Sequence, residues 1–216
     1  AQNLDKVFVQ LFWSSAVVGF YFGGQKFISF INIFSESVIS LLFSQTSKLH
    51  IENKLDQLVA TVQKAERYLS MFITPLIAFC FIYAEELIRL LLGNAFAPAV
   101  IVMRILLLQA LAYTLVRPSA SAILGVNKQQ SYTNLSLMIF ILTLAMNFVF
   151  VPEKVFGISM LGLGGAGMAL SMSPASLVGL FGTKWILSRA VPYRTPRSVH
   201  VHLLTAGLLS VPFILF

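Results

Sequence analysis

The chain has 216 residues, of which 57% are hydrophobic and only 11% charged. A soluble domain carries about 25% charged residues, so this composition excludes an ordinary water-soluble fold and predicts an integral membrane protein. Lys and Arg number 15 against 8 Asp and Glu, a net charge of +7; in a membrane chain such an excess belongs to cytoplasmic loops, and no nucleic-acid partner is expected.

Residues 1–15 are apolar apart from Asp5, Lys6 and Gln10, and are too short to span. They are expected to be the second half of a helix in a longer chain. Residues 18–45 form the first full span. It carries Tyr21, Gln25, Ser29, Asn32, Glu36 and Ser40 at spacings of three and four, a polar stripe on one helical face. Lys26 sits beside the stripe, and Gly23-Gly24 would let a neighbouring helix approach closely. A mid-span carboxylate such as Glu36 must be paired, protonated or wet, which makes it a candidate for ion coupling.

Residues 46–67 are the one long polar segment. Ile51, Leu55, Leu58, Val62 and Ala65 recur with helical period while Lys48, Lys54, Lys64 and Arg67 take other faces, predicting an amphipathic helix at the membrane surface. Residues 68–92 are the next span, kinked at Pro75, with Glu85 and Arg89 spaced for an i to i+4 pair.

The segment 99–125 is the most informative. Gln109, Tyr113, Arg117 and Ser121 recur every fourth residue, and Pro118 removes the hydrogen bond to the carbonyl of Thr114 beside that stripe. A charge at mid-bilayer costs roughly 2.5 to 3.5 kcal/mol on insertion scales, so Arg117 is expected to face a cavity or the bundle interior. Arg104 can do the same or snorkel to the headgroups. Spans at 132–151 and 159–187 follow, then a basic loop 191–197 and an apolar run 201–216 shorter than a full span. The fold class is therefore all-α, a polytopic transmembrane bundle of about six helices.

Loop charge gives an orientation. Lys48, Lys54, Lys64 and Arg67, then Lys128, then Lys184, Arg189, Arg194 and Arg197 fall on one side, against Arg89 and Lys154 on the other. The positive-inside rule places 46–67, 127–130 and 191–197 in the cytoplasm.

Catalytic motifs give little. Gly162-Leu163-Gly164-Gly165-Ala166-Gly167 satisfies the dinucleotide pattern G-x-G-x-x-G but has no preceding strand and no acidic residue about twenty positions on. Its small residues read better as helix-packing positions. His200 and His202 have no further ligand-type residue nearby, and Cys80 lies alone in an apolar run. No cofactor, no metal and no enzymatic activity are expected.

Asn3-Leu4-Asp5-Lys6, Val18-Gly19-Phe20-Tyr21, Ile88-Arg89-Leu90-Leu91-Leu92-Gly93, Phe96-Ala97-Pro98-Ala99, Leu106-Leu107 and the run from Gly162 to Ala169 together resemble the C-terminal half of polysaccharide-biosynthesis flippases. These are the O-antigen-type transporters of the multidrug/oligosaccharidyl-lipid/polysaccharide exporter superfamily. The resemblance implies one lobe of a two-lobed, alternating-access transporter, 1–216 being the C-terminal lobe and an N-terminal lobe of the same chain completing the path. It implies a lipid-linked oligosaccharide as substrate, contact with membrane lipid, and a glycan polymerase or ligase as a candidate partner. The substrate-path candidates are Lys26, Arg104 and Arg117 for the phosphates, with Gln25, Asn32, Gln109 and Tyr113 beside them. Two other readings stay open: a cation-coupled multidrug exporter of the same superfamily, using Glu36 for H⁺ or Na⁺, and a non-transporting scaffold of glycan assembly.

Overall fold

A backbone inside hydrocarbon must satisfy its own polar groups, and helix is the way a single segment does so. The computed structural model describes residues 4–155 and 157–210 and is almost entirely helical over them. In chain order the helices are α1 (Leu4–Phe12), α2 (Ser15–Ile51), α3 (Leu55–Ile82), α4 (Ala84–Leu92), α5 (Ala99–Gly125), α6 (Gln129–Phe150), α7 (Gly164–Ala190) and α8 (Arg197–Ser210). A short 3-10 turn, Asn94–Phe96, joins α4 to α5, and a small antiparallel hairpin, β1 (Lys154–Val155) with β2 (Ile158–Ser159), precedes α7. Five of these helices, α2, α3, α5, α6 and α7, are long and apolar enough to cross a membrane.

The span at 99–125 has the expected limits and continues through Pro118. The others shift. The separate helix expected over 46–67 does not form. Residues 46–51 prolong α2, a turn at 52–54 follows, and the rest opens α3, which continues into the next span. Asn53 makes that turn with φ +56°, a left-handed conformation that asparagine tolerates better than most residues. The apolar periodicity of the segment was real, but its face packs on protein. Leu58 and Val62 are fully buried against Ile123 of α5, Leu187 of α7 and Tyr193 of the following loop. The span expected at 68–92 breaks at Tyr83, where α4 begins, and the glycine-rich stretch before α7 takes positive φ at Gly162 and Gly164 in place of helix. Of the expected segments 1–15 and 201–216, residues 1–3 and 211–216 lie outside the described residues.

Helix α5 is the centre of the bundle, packing on α2, α3, α6 and α7. One apolar cluster joins α2, α3, α4 and α5 around Ile31, Ile73, Ile88, Met103 and Leu107. A second joins α1, α2, α5 and α7 around Val9, Tyr21, Leu106 and Met168. The third, described above, closes the end of the bundle that carries the segments 46–67, 127–130 and 191–197. Gln63 Nε2 donates to the carbonyl of Arg194 at 2.7 Å across that end. Outward, α6 presents Leu137, Phe140, Ile141 and Phe148, all exposed, as a lipid-facing surface would.

Of the paired glycines, Gly24 carries the α2–α5 contact. A Cβ on Gly24 would stand 3.1 Å from the backbone nitrogen of Met103, where nothing can yield. Substituting Gly24→Val should therefore destabilise the protein by about 1–3 kcal/mol, the range for overpacking. Gly19→Ala, with open space around its Cβ, should leave the thermal midpoint in detergent unchanged.

Candidate functional site

Four helices with polar positions on their facing sides leave a space between them. A cavity of about 560 Å³ opens between α2, α5, α6 and α7. Part of the two polar stripes lines it, Tyr21, Gln25 and Asn32 from α2 and Gln109 and Tyr113 from α5, while Ser29, Glu36, Ser40, Arg117 and Ser121 of the same stripes do not. Tyr132, Ser136 and Thr143 of α6 and Ser176 and Thr183 of α7 complete the polar lining, which sequence reasoning had not assembled. The remaining walls are apolar, including Ile28, Leu106, Val116 and Met172. Among the described residues, no charged side chain lines this cavity.

The three cations expected to line it lie elsewhere. Lys26 is one position off the stripe, exposed, with Nζ over the Phe22 ring at 5.2 Å and in a separate apolar groove with Phe27 and Leu76. Arg104 points toward α3, its guanidinium 5.7 Å from the Phe81 ring. Arg117 comes nearest: it stands over the Tyr113 ring at 4.7 Å, and its Nη2 forms an ion pair with Glu36 Oε1. The physical reason is helical phase, since a step of one residue turns a side chain by about 100° and removes Lys26 from the face that holds Gln25. Glu36 therefore meets one of the conditions set for a mid-span carboxylate: it is paired.

The amides hold the cavity walls together. Gln109 Nε2 donates to the carbonyl of Ala169 and to Ser173 Oγ, the latter at 3.1 Å, fixing α5 to α7. Ser171 donates to Asn147 Oδ1, fixing α7 to α6. Ser121 donates to the carbonyl of Ile39, fixing α5 to α2. Asn32 differs, because its Oδ1 is buried and has no hydrogen-bond partner among the described residues. An unmet acceptor beside a cavity is costly unless a ligand or water supplies the hydrogen.

A second polar group lies at the basic end of the bundle and was missed altogether. Glu66 of α3 has no exposed surface. Its Oε1 accepts from Ser119 Oγ of α5 at 2.8 Å and its Oε2 accepts from the hydroxyl of Tyr193. Lys184 of α7 places Nζ 3.7 Å from Oε1 and also donates to Thr195 Oγ1 at 3.2 Å. The sequence signal existed: Lys184 was counted with the loop charges although it lies within an apolar span, and a lysine there needs an acid. Only the fold shows which acid, since 118 positions separate the two. Burial, and after it the Glu66 carboxylate, push the Tyr193 phenol far above its ordinary value of 10.0.

Removing one partner of this pair should be expensive. Glu66→Ala strands a largely buried ammonium and should lower stability by about 3 kcal/mol, whereas Glu66→Gln with Lys184→Met should recover much of that loss. Thermal midpoints of the three proteins would decide it. The pH dependence has a definite sign as well. The folded chain keeps Tyr193 protonated while the unfolded chain gives up its proton near 10.0, so stability is full below that pH and falls above it. Tyr193→Phe should flatten the alkaline limb of a stability-against-pH profile.

Residues 1–101 match the model of a family described as polysaccharide biosynthesis protein, a stretch that holds α1 to α4 and the first turn of α5. No curated protein and no solved structure matches the chain. That match and five helices of spanning length together mark a multi-pass membrane protein of polysaccharide synthesis or export.

Proposed function

We propose that this chain is one lobe of a transporter that carries a lipid-linked oligosaccharide across the cytoplasmic membrane by alternating access, with the α2–α5–α6–α7 cavity receiving the glycan. The observation that carries this reading is an uncharged lining that sets amides, hydroxyls and tyrosines in largely apolar walls and, within it, the unmet Asn32 acceptor. Sugars offer hydroxyl donors and acceptors and apolar C–H faces. Amides, hydroxyls and tyrosine rings meet both, and a volume of about 560 Å³ is within the usual range of ligand sites. The family match over residues 1–101 supports a glycan substrate. In this reading a second lobe of the same chain forms the facing wall, a glycan polymerase or ligase takes the product, and the chain performs no catalysis. The segments 46–67, 127–130 and 191–197 face the cytoplasm.

The phosphates of such a substrate have one cation within reach. Arg117 lies at the cavity margin through its contact with Tyr113, and it would exchange the Glu36 carboxylate for a diphosphate as the substrate enters. The same ion pair weighs against the cation-coupled exporter, because a carboxylate already neutralised by a guanidinium is a poorer site for H⁺ or Na⁺.

The test uses the complete protein in proteoliposomes and follows a fluorescent, diphosphate-linked lipid oligosaccharide across the bilayer. Wild type should transport it. Asn32→Leu, which keeps the size but removes the acceptor, should slow transport by roughly tenfold with little change in thermal midpoint, and Arg117→Ala should also be slow. Wild type that moves no lipid but exports cationic dyes under a proton or sodium gradient would overturn the proposal in favour of the exporter.

A further inference from the structure

On the face of the bundle away from the central cavity, the seam between α6 and α7 holds two contiguous grooves that share Gly182 and Trp185. The first opens where α6 begins and α7 ends, and it carries Lys128 and Arg189 with Ser131 and Asn134. The second continues along α7 over Leu177, Val178 and Phe181. A cationic mouth therefore leads into an apolar slot.

The charge of the mouth is unbalanced. No acidic residue lines it, and neither Lys128 nor Arg189 is in an ion pair among the described residues. Arg189 is instead held flat against the indole of Trp185, with its Cζ 4.0 Å from the ring centroid. Lys128 immediately precedes the first residue of α6, and no side chain caps that terminus. The free backbone N–H groups and the helix dipole thus add to the two cations in favouring an anion. The slot is as one-sided in the other direction: Leu177, Phe181 and Trp185 are all more than half exposed. Its floor is closed, because a Cβ on Gly182 would already meet Leu135 Cδ1 at 2.6 Å.

We propose that this groove binds an anionic phospholipid of the surrounding membrane, its phosphate between Lys128 and Arg189 and one acyl chain along Leu177, Val178 and Phe181. The two ends of the groove match the two ends of such a molecule, a headgroup carrying negative charge and a hydrocarbon tail. Lipid bound there clamps α6 to α7 from outside, on the two helices that form one side of the central cavity. The inference depends on the chain lying in a membrane and not on what the cavity transports.

Trp185 reports on the groove directly. The chain has two tryptophans, so Trp13→Phe leaves Trp185 as the only one, and the full chain in phosphatidylcholine bilayers can be titrated with brominated phosphatidylglycerol or brominated phosphatidylcholine. Quenching should favour phosphatidylglycerol by roughly fivefold or more, the increment expected of one interfacial cation. Lys128→Gln with Arg189→Gln should bring the ratio of the two lipids close to one, with the thermal midpoint in phosphatidylcholine alone unchanged. Equal quenching by both lipids in wild type, or a preference that survives the double substitution, would overturn the proposal. So would displacement of phosphatidylglycerol by an equal mole fraction of polyprenyl diphosphate, which would assign the groove to the carrier lipid, or by inorganic phosphate, which would leave the slot without a role. Because Trp13 donates to the carbonyl of Val151, native mass spectrometry of the unsubstituted chain from mixed micelles gives an independent reading. It should retain phosphatidylglycerol over phosphatidylcholine, and no retention would count against the site.

Discussion

A carboxylate with no exposed surface ties together the basic end of this bundle. Glu66 belongs to α3, yet its hydrogen-bond and charge partners come from α5, α7 and the loop beyond α7. A buried charge left uncompensated costs several kcal/mol, so these elements hold their arrangement as a set. The apolar cluster around Leu58, Ile123, Leu187 and Tyr193 packs beside it and excludes water from the same region. Hydrophobic packing and the polar group thus reinforce one another at one end, while the remaining length of the bundle relies on small residues and single hydrogen bonds between helices.

The same constraint accounts for the character of the central cavity. The deep ionic groups are arranged in pairs or against rings: Glu66 with Lys184, Glu36 with Arg117, Arg104 over Phe81. What remains between α2, α5, α6 and α7 is an uncharged, largely apolar space with amides and hydroxyls set in its walls. Gln109 is the clearest case, because its amide nitrogen fixes α5 to α7 while the side chain lines the cavity. There wall and fastening are the same residue, so a change of cavity shape that moves α5 against α7 must exchange the Gln109 hydrogen bonds as well as apolar contacts.

Helix packing is governed by where side chains are absent. Gly24 lets α2 lie against α5, Gly23 admits Leu92 of α4 and Phe96, Gly182 lets α6 lie against α7, and the glycines at the start of α7 admit Val17 and Tyr21 of α2. In hydrocarbon there is little hydrophobic gain from joining two apolar surfaces, and close contact between backbones is what separates a packed bundle from loose helices. The G-x-G-x-x-G pattern has this role in the fold: Gly164 lies against Val17 and Trp13, and Gly167 against the backbone carbonyl of Phe150.

The sequence by itself determined the membrane class, the number of span-length helices, the limits of α5 and the two polar faces, because composition and a period of 3.6 residues are local properties. It also exposed Arg117 and Glu36 as charges that needed company. Only the tertiary structure decided that they keep company with each other, and that Lys26 and Arg104 turn away from the cavity. It decided likewise that the apolar face of the segment after α2 meets α5 and α7 rather than lipid. Periodicity tells which face of a helix is apolar or polar but not what stands opposite. Glu66 and Lys184 show the limit most plainly: they lie on different helices, 118 positions apart, and their meeting is fixed by how the helices cross, a relation no local pattern contains.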